Sequence, residues 1–444
     1  MLFTRKQLFQ LILPLIAEQF LAVSVGLVDV MMVSRAAGEA GIAGVSLVDT
    51  LNVLLITLFS SLATGGAVVS SQYLGKKEED NASKAGGQLI ITTLFFALII
   101  MGISLIGNAH ILRAIYGDPG KDIMRSATTY FIITAFSFPF LAVYNSCAAL
   151  FRAMGNSKIS MYVSIVMNLI NVTGIFIMVF LLHMGVEGVA IPTLVARAAS
   201  AIIIYLLIKS KKNAIHVSNI LHAGIDFTMI KRILNIGVPN GLENSIFQIG
   251  KILVQGLITS LGAVAIAANG VAGTIAGFAL IPGSAMGLAM ITVVGRCVGA
   301  EDIAQAKKYT VKLMQLCYLI LGVLNIGIFL LRKPIVDIFA LSGPSEKATL
   351  TLIIYHCICC CIIWPLSFAL PNALRAANDV KTTMTISIIS MWVWRIGFSY
   401  FLVNGLKMGV LGVWVAMTID WLFRGICFGL RFAKGGWVKH AYLR

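Results

Sequence analysis

The sequence predicts an all-α integral membrane protein with twelve transmembrane helices, arranged in two six-helix lobes that are related by a parallel internal repeat. Of its 444 residues, 59% are hydrophobic and only 12% are charged, whereas a soluble domain carries roughly 25% charged residues. Twelve apolar runs are long enough to cross a bilayer, and landmarks of the first half recur in the second half. The composition excludes a soluble globular protein, a disordered chain and a secreted disulfide scaffold.

Each predicted span is an apolar run of about 20 residues or more, which is the length that a bilayer requires. The first run follows Arg5 and Lys6, is long and has no small-residue cleavage site, so we expect it to be retained as the first span. The runs lie at 8–33, 42–71, 88–108, 127–149, 160–182, 187–208, 233–260, 264–295, 311–330, 350–373, 383–404 and 409–429.

The internal repeat is visible as a set of landmarks that recur at a nearly constant spacing of half the chain. An even number of spans in each half makes the two halves run in the same direction across the membrane, as in a parallel repeat about the membrane normal. The recurring landmarks are Pro14 and Glu18 with Pro239 and Glu243, Gly75 with Gly299, Arg152-Ala153 and Lys158 with Arg375-Ala376 and Lys381, and the segment 184–189 with 408–413.

Basic residues are distributed unevenly between alternate connections. With Lys312 and Arg424, which lie toward the ends of spans, counted in the adjoining connections, 23 Lys and Arg residues lie on the side that holds both termini and 8 lie on the opposite side. The remaining 3, Arg197, Lys251 and Arg395, lie within spans. Because cytoplasmic loops carry the excess of positive charge, we expect a cell (inner) membrane protein with both termini in the cytoplasm. The predicted organisation is an N-terminal lobe at 1–208, a cytoplasmic lobe linker at 209–232, a C-terminal lobe at 233–429 and a basic cytoplasmic tail at 430–444.

Several other classes of function are excluded. The net charge of +16 is spread over short loops, so we expect no nucleic-acid partner. Eight cysteines are too sparse for a disulfide framework, and the four within 357–361 point in different directions around a helix, which is typical of small core residues. Zinc-protease, nucleophile-elbow and phosphate-loop motifs are missing from the sequence. We therefore expect no enzyme, and an ion gradient rather than ATP as the energy source.

Five of the 18 acidic residues lie within predicted spans, where ionisable groups are costly and are therefore candidates for function. They are Glu18, Asp29, Asp49, Glu243 and Asp420. Glu18 and Asp29 are 11 residues apart in the sequence, which places them ~16 Å apart along one helix face. Asp29 is the strongest candidate because residues 23–33 are otherwise apolar but for Ser24. Pairing with a neighbouring helix is the alternative for each carboxylate.

Polar stripes with helical spacing mark spans 5, 6 and 7. Such stripes face a bundle interior, where they line a cavity or form hydrogen bonds between helices. Their members are Ser164, Asn168 and Asn171, then Thr193, Arg197 and Ser200, then Asn244, Gln248, Lys251 and Gln255. The repeat places Lys251 within ~4.5 Å of the height of Asp29 but in the opposite lobe. We expect Lys251 either to face the cavity or to bind backbone carbonyls within its own lobe.

Four motifs follow one another along the chain: Pro14 to Glu18, Val28-Asp29 with Met32-Val33, the Arg-Ala loops after spans 4 and 10, and Asp420 to Arg424. In their order and spacing, over nearly the whole chain, they resemble the multidrug and toxic compound extrusion (MATE) family. The resemblance implies two six-helix lobes around a V-shaped cavity, with entry of H⁺ or Na⁺ driving the export of cationic, amphipathic compounds. We expect no cofactor, organic cations and the lipid bilayer as partners, and a monomer.

The resemblance also implies an ion site in the N-terminal lobe. The family's aspartate in helix 1, asparagine in helix 5 and threonine in helix 6 match Asp29, Asn171 and Thr193, which are the candidate Na⁺ ligands. The family's second carboxylate in helix 5 is replaced by Ile175. Some members use acids in helices 7 and 10; Glu243 lies about one turn from the first of these, and helix 10 has no carboxylate.

The predicted sites follow from these matches. The ion-coupling residues are Asp29, Asn168, Asn171, Thr193 and Glu243, and the residues of the substrate cavity are Glu18, Asp49, Gln248, Lys251, Gln255 and Arg197. A lone desolvated carboxylate suits proton exchange because burial raises its pKa, whereas Na⁺ needs several oxygen ligands, so both ions stay open.

Two alternative functions stay open beside the antiporter. A flippase of lipid-linked saccharide precursors shares the two-lobe plan and would have a more cationic cavity, which Arg197, Lys251 and Arg395 favour. A membrane-embedded enzyme is the second alternative, although His356 has no evident catalytic partner in the sequence.

Overall fold

The computed structural model describes residues 3–36, 38–117, 120–217 and 224–441, and the side chains of residues 27–31 and 33–39 also lie outside the description. Long helices account for most of these ranges, which contain no β-strand. The all-α class is therefore confirmed. Because every backbone group in a bilayer must be satisfied within the chain, long continuous helices are what such an apolar sequence requires.

The first half contains six long helices, and the fourth of them is broken. At the break, Ser137 separates two segments that meet at an angle of 47°. The helices are α1 (Arg5–Ala36), α2 (Gly38–Gly75), α3 (Glu79–Tyr116), α4 (Lys121–Phe136 and Phe138–Ala153), α5 (Ser157–Leu181) and α6 (Glu187–Ile208).

The second half repeats this pattern with six more long helices, and its described residues also contain a short helix at Arg332–Asp337. The long helices are α7 (Phe227–Thr259), α8 (Ala263–Gly299), α9 (Ile303–Leu330), α10 (Gly343–Ala376), α11 (Val380–Gly405) and α12 (Gly409–Ala433). In the described ranges, ten helices are long and apolar enough to cross a membrane, and the broken α4 makes eleven. The twelfth, α7, has 33 residues and carries the polar stripe, which lowers its hydropathy.

Residues with a left-handed backbone conformation end helices at equivalent places in both halves. Lys77 and Glu301 have φ values of 64° and 58°, and His183 and Lys407 have φ values of 53° and 54°. Gly155, at φ 81°, corresponds to Asn378, at φ 64°, and glycine and asparagine are the residues that adopt this conformation most readily at helix ends. The spacing between these partners matches that of the sequence landmarks. The repeat therefore extends from the sequence to the backbone conformation.

Wide helical turns interrupt three helices. Residues Phe176–Leu181 at the end of α5 and Phe401–Gly405 at the end of α11 form π-helical turns at equivalent positions. Two further π-helical turns lie at Pro365–Ala369 in α10 and at Met391–Gly397 in α11. Such turns shift the register of the following side chains and are frequent at functional sites.

The chain packs as two compact units. One contains Arg5–Gly241 and is called the N-unit; the other contains Met1–Thr4 with Leu242–Arg444 and is called the C-unit. The boundary lies inside α7, whose first turns pack in the N-unit, where Arg232 donates a hydrogen bond to the hydroxyl of Tyr73 over 2.7 Å. Each unit has its own apolar core, around Phe59 and Phe138 in the N-unit and around Leu352 and Trp414 in the C-unit.

Candidate ion-binding and substrate-binding residues

Two of the three candidate Na⁺ ligands are in contact in the N-unit. Thr193 of α6 donates a hydrogen bond to Oδ1 of Asn171 in α5 over 3.0 Å, and Asn171 is only 7% exposed. The hydroxyl of Thr193 also lies 3.0 Å from the carbonyl oxygen of Val189. The third candidate, Asp29, belongs to α1, which packs along α5, but its side chain lies outside the described residues.

The rest of the α5 stripe continues away from this contact. The amide nitrogen of Asn168 lies 3.5 Å from the hydroxyl of Ser164, one turn earlier on the same helix. Ile175, at the position of the family's second helix 5 carboxylate, is fully buried in the apolar core. The described part of this site thus offers amide and hydroxyl oxygens but no carboxylate.

A second polar network in the N-unit surrounds Asp49 of α2. Its Oδ1 accepts hydrogen bonds from the hydroxyl of Tyr130 over 3.1 Å and from the amide of Asn52 over 3.4 Å. The guanidinium of Arg197 acts electrostatically on Asp49 and donates a hydrogen bond to the hydroxyl of Ser137 over 2.7 Å. Asp49 and Arg197, both predicted for the substrate cavity, therefore belong to one network that reaches the break in α4.

Glu18 forms an ion pair inside the N-unit. Its Oε1 lies 3.2 Å from Nη1 of Arg152, at the end of α4, and its Oε2 accepts a hydrogen bond from Ser160 of α5 over 2.8 Å. Both charged side chains are largely buried, at 10% and 14% exposed. Both carboxylate oxygens are thus engaged, and the pair ties α1 to α4 and α5.

Glu243 forms the equivalent ion pair inside the C-unit. Its Oε1 lies 2.6 Å from Nη2 of Arg375, at the end of α10, and Arg375 also donates to the amide oxygen of Asn372 over 2.9 Å. Within the described residues, Oε2 of Glu243 has no hydrogen-bond partner. The structure therefore places Glu18 and Glu243, which were predicted for the cavity and for ion coupling, in two ion pairs that the internal repeat relates.

The C-unit contains a charged cluster that the sequence did not predict. Asp420 of α12 is fully buried, and its Oδ1 accepts from Nε of Arg424 over 2.9 Å and from the hydroxyl of Ser390. Its Oδ2 lies 3.4 Å from Nη1 of Arg395 in α11. Asp420, Arg395 and Arg424 are called the C-unit cluster below. Asp420 and Arg395 stood out in the sequence as charges within spans, but nothing there indicated that they pair.

The ring of Phe247 in α7 joins the C-unit cluster. The guanidinium carbons of Arg395 and Arg424 lie 5.3 Å and 5.4 Å from its centroid, and that of Arg424 lies 5.5 Å from the ring of Phe368. Aromatic faces stabilise guanidinium groups at such distances. The cluster is therefore held between α7, α10, α11 and α12.

The polar stripe of α7 is less engaged than its position in the sequence predicts. Gln248 is half-buried, whereas Lys251 and Gln255 are exposed. Gln255 accepts a hydrogen bond from the amide of Asn269 over 3.3 Å. Among the described residues, Lys251 has no ion-pair or hydrogen-bond partner.

No group of three or more His, Cys, Asp and Glu side chains in the described part of the chain could hold a metal ion. The eight cysteines are free, and five of them are buried. The donors that could receive a Na⁺ ion are instead the oxygens of Asn171 and Thr193, which fit the hard oxygen ligands that such an ion prefers.

Comparisons with known proteins agree with the internal duplication. The MatE family model matches the chain twice, at residues 14–177 and 239–401. The uncharacterized transporter YisQ of Bacillus subtilis is 25% identical over an alignment of 441 positions, which covers 97% of this chain and 95% of that protein. The probable multidrug resistance protein NorM of Thermotoga maritima is 24% identical over an alignment of 454 positions, which covers 99% of this chain and 94% of that protein.

Solved structures show the same fold. The outward-facing conformation of a multidrug resistance MATE family transporter of the MOP superfamily matches 97% of this chain and 96% of its own, with a TM-score of 0.89 at 17% sequence identity. The two segments that the family model matches also start and end at the spacing of the sequence landmarks. The predicted twelve-helix, duplicated fold class is thereby confirmed.

Proposed function

The chain belongs to the MatE family, and we propose that it is an antiporter in which the entry of H⁺ or Na⁺ drives the export of amphipathic organic compounds by alternating access. Members of this family are transporters and not enzymes, and they use ion gradients. The chain is accordingly a multi-pass membrane protein of the multidrug efflux type. The coupling ion, the antiport step and the class of compound are parts of the proposal.

The contact between Asn171 and Thr193 is the observation that carries the ion-coupling part of the proposal. It provides two hydrogen-bonded oxygens, 3.0 Å apart, on the two helices where the family has its N-lobe ligands. Asp29 supplies the carboxylate in this assignment. A single carboxylate beside neutral oxygens exchanges a proton readily, and it binds Na⁺ if backbone oxygens complete the shell.

Organic cations are the proposed cargo, because Asp29 and Asp49 are carboxylates within the helices of the N-unit. Asp49 accepts hydrogen bonds from Tyr130 and Asn52, which orient its carboxylate. We assign Glu18 and Glu243 to holding helices together, because each is already engaged by an arginine. We further propose a monomer in the cell (inner) membrane, with residues 209–232 as the lobe linker.

Both termini are proposed to be cytoplasmic, on the basis of the Lys and Arg distribution. Three arginines counted on that side, Arg152, Arg375 and Arg424, are buried or half-buried within the units, yet the excess persists without them. Reporter fusions after residues 80 and 220 should be cytoplasmic, and fusions near residues 118 and 344 extracytoplasmic. An extracytoplasmic reporter after residue 220 would contradict this topology.

A flippase of lipid-linked saccharide precursors is the second candidate function. The C-unit cluster favours it, because two arginines share one carboxylate there and pyrophosphate-linked lipids require a cationic cavity. Complementation of a strain that lacks such a flippase would support this candidate, whereas export of a cationic dye without complementation supports the antiporter.

Efflux of ethidium from cells that express the chain tests the proposal. If H⁺ is the coupling ion, export should stop when nigericin, a K⁺/H⁺ exchanger, collapses the pH gradient. If Na⁺ is the coupling ion, export should stop with monensin, a Na⁺/H⁺ exchanger, but continue with nigericin. Asp29→Asn keeps the shape of the side chain and removes its charge, so this variant should insert normally and lose gradient-driven export. Asp122→Asn, which changes an exposed acid at the start of α4, is the matched control.

Two outcomes would contradict the proposal. Export that persists with both gradients collapsed would exclude ion-driven antiport. Full export by Asp29→Asn at normal expression would remove Asp29 from the coupling step and return Glu243 and Glu18 as candidates.

A further inference from the structure

The described charges in and beside the C-unit cluster are more positive than negative. In the C-unit cluster, the single carboxylate of Asp420 is shared by Arg395 and Arg424. Lys251 adds a third cation, and the charge of Arg395 acts on it electrostatically. Glu243 does not compensate for these cations because Arg375 already engages it. Within a membrane, excess positive charge is costly unless an anion neutralises it.

The carboxylate of Asp420 leaves Arg395 incompletely paired. Its Oδ1 is taken by Arg424 and Ser390, and Nη1 of Arg395 reaches Oδ2 only at 3.4 Å. Charge-assisted hydrogen bonds are shorter, about 2.7–2.9 Å. Arg395 therefore keeps much of its capacity to bind a second anionic group.

Lys251 lies on the side of α7 that faces this arginine. It follows Phe247 by four residues, or one helical turn, so both side chains lie on one face of the helix. The ring of Phe247 is in contact with both guanidinium groups, at 5.3 Å and 5.4 Å. Lys251 is exposed, so a ligand can approach the ammonium group before it meets the buried guanidinium of Arg395.

The backbone of α11 presents Arg395 in an unusual way. Residues Met391–Gly397 form a π-helical turn, whereas the segment that corresponds to it in α5, at 167–173, is a regular α-helix within Ser157–Ile175. A wide turn of this kind re-aims the side chains that it carries, and such turns are frequent at binding sites.

We propose that Lys251 and Arg395 form a binding site for an anionic group, such as a carboxylate, sulfonate or phosphate, of the exported compound. The guanidinium binds such a group through paired hydrogen bonds, the ammonium acts as a point charge, and Phe247 contacts the adjoining hydrocarbon. The site makes zwitterionic amphipathic compounds better substrates than simple monocations. This inference rests on the export function proposed above.

Equilibrium binding to the purified full-length chain in phosphatidylcholine nanodiscs tests the site. Rhodamine 110 and rhodamine 123 have the same ring system, but the first has a free carboxylate where the second has a methyl ester. The wild type should bind rhodamine 110 the more tightly, by about fivefold or more, because one additional ion pair contributes ~1 kcal/mol. Fluorescence anisotropy at low ionic strength measures both affinities.

Three variants locate the effect. Lys251→Met should remove most of the preference for rhodamine 110, and Lys251→Arg should keep it, because the charge is retained. Lys333→Met, which removes an exposed lysine elsewhere in the C-unit, should leave the preference unchanged. Equal affinities of the wild type for the two dyes, or an unchanged preference in Lys251→Met, would overturn the proposal.

An anionic phospholipid headgroup offers the same chemistry as an acidic substrate, so a second set of nanodiscs contains phosphatidylglycerol. The proposal predicts that this lipid leaves the preference of the wild type in place. Loss of the preference in phosphatidylglycerol, to the level of Lys251→Met, would assign the site to the lipid and overturn the proposal.

The outcome is independent of the proposed export function, because binding needs no gradient. A wild type that prefers rhodamine 110 but does not export ethidium would contradict the export function alone. A wild type that exports ethidium but shows no preference would contradict this inference alone.

Discussion

The N-unit and the C-unit carry different chemistry at positions that the internal repeat makes equivalent. The spacing of the repeat pairs Asn171 with Arg395 and Thr193 with Met417. The N-unit therefore presents two neutral oxygens in contact, which suit a cation. The C-unit presents a guanidinium, which repels a cation and suits an anion. On the proposals made above, one duplicated scaffold supports an ion site in one half and substrate recognition in the other.

The ion pairs at the ends of the helices differ much less between the halves. Glu18 with Arg152 and Glu243 with Arg375 join the same helices of each half. The difference is that both oxygens of Glu18 have partners, whereas Oε2 of Glu243 has none among the described residues. The contacts that hold each unit together are thus retained, and the polar residues at mid-helix have diverged.

The largest expected effect is a difference in thermal stability between variants of these two ion pairs. Removing one partner of a buried pair costs about 3–5 kcal/mol, because the other charge is left uncompensated. Glu18→Gln should lower thermal stability in detergent more than Glu243→Gln, because both oxygens of Glu18 have partners and the amide keeps only one acceptor oxygen. Glu18→Met combined with Arg152→Met should recover most of the loss, because an apolar pair leaves no charge. A larger loss in Glu243→Gln would reverse the comparison.

The second prediction concerns the two arginines of the C-unit cluster. Arg424→Leu should destabilise the protein by about 3 kcal/mol or more, since it leaves Asp420 with the distant Arg395. Arg395→Asn removes the excess cation and gives this position the residue of the N-unit, so its stability should stay within ~1 kcal/mol of the wild type. Thermal unfolding of both variants measures the difference. Equal losses would show that Arg395 is a structural partner of Asp420.

The third prediction concerns the contact between Thr193 and Asn171. Thr193→Val keeps the volume of the side chain and removes its hydroxyl, which should cost about 1 kcal/mol of stability. If Na⁺ is the coupling ion, the Na⁺ concentration for half-maximal export should rise. If H⁺ is the coupling ion, the pH dependence of export should shift instead. A variant with neither change would remove Thr193 from the ion site.

The smallest expected effect lies outside the membrane, at two equivalent helix starts. Asp302 precedes α9 and accepts from the backbone N–H of Gln305 over 2.9 Å, which lowers the pKa of Asp302 from 3.8. Glu78 precedes α3 without such a cap. The contribution of Asp302 is present above pH ~4 and is lost as the pH falls through its lowered pKa.

Asp302→Asn should therefore weaken the acid dependence of thermal stability, because a neutral cap does not titrate in this range. Glu78→Asp should introduce a cap and slightly raise stability. Thermal unfolding between pH 3 and 6 measures this dependence. If the stability of Asp302→Asn falls with decreasing pH as steeply as that of the wild type, the role of this cap is contradicted.

Hydropathy and the repeat were sufficient to predict the twelve helices, because apolar length and periodic landmarks are local properties of the sequence. The contact of Asn171 with Thr193 could also be predicted, since neighbouring helices 5 and 6 carry polar residues on one face. The ion pairs could not, because Glu18 and Arg152 are 134 residues apart. Arg152 and Arg424 were counted with the basic residues of the side that holds both termini, although both form ion pairs inside the units.

A signal for these pairs was nevertheless present in the sequence. Glu18 and Arg152 recur together as Glu243 and Arg375, at the spacing of the repeat. Joint recurrence of opposite charges is what a repeated ion pair requires. The C-unit cluster left no such signal, because its members have no counterparts of the same type in the first half.

Transport by the purified chain in proteoliposomes tests most directly whether ion coupling and substrate recognition are divided between the two units. Uptake of rhodamine 110 and rhodamine 123 is measured with and without an imposed H⁺ or Na⁺ gradient. The account predicts that Asp29→Asn abolishes the response to the gradient but keeps the preference for rhodamine 110. It predicts that Lys251→Met keeps the response to the gradient but loses this preference. Loss of both properties in either variant would contradict the division.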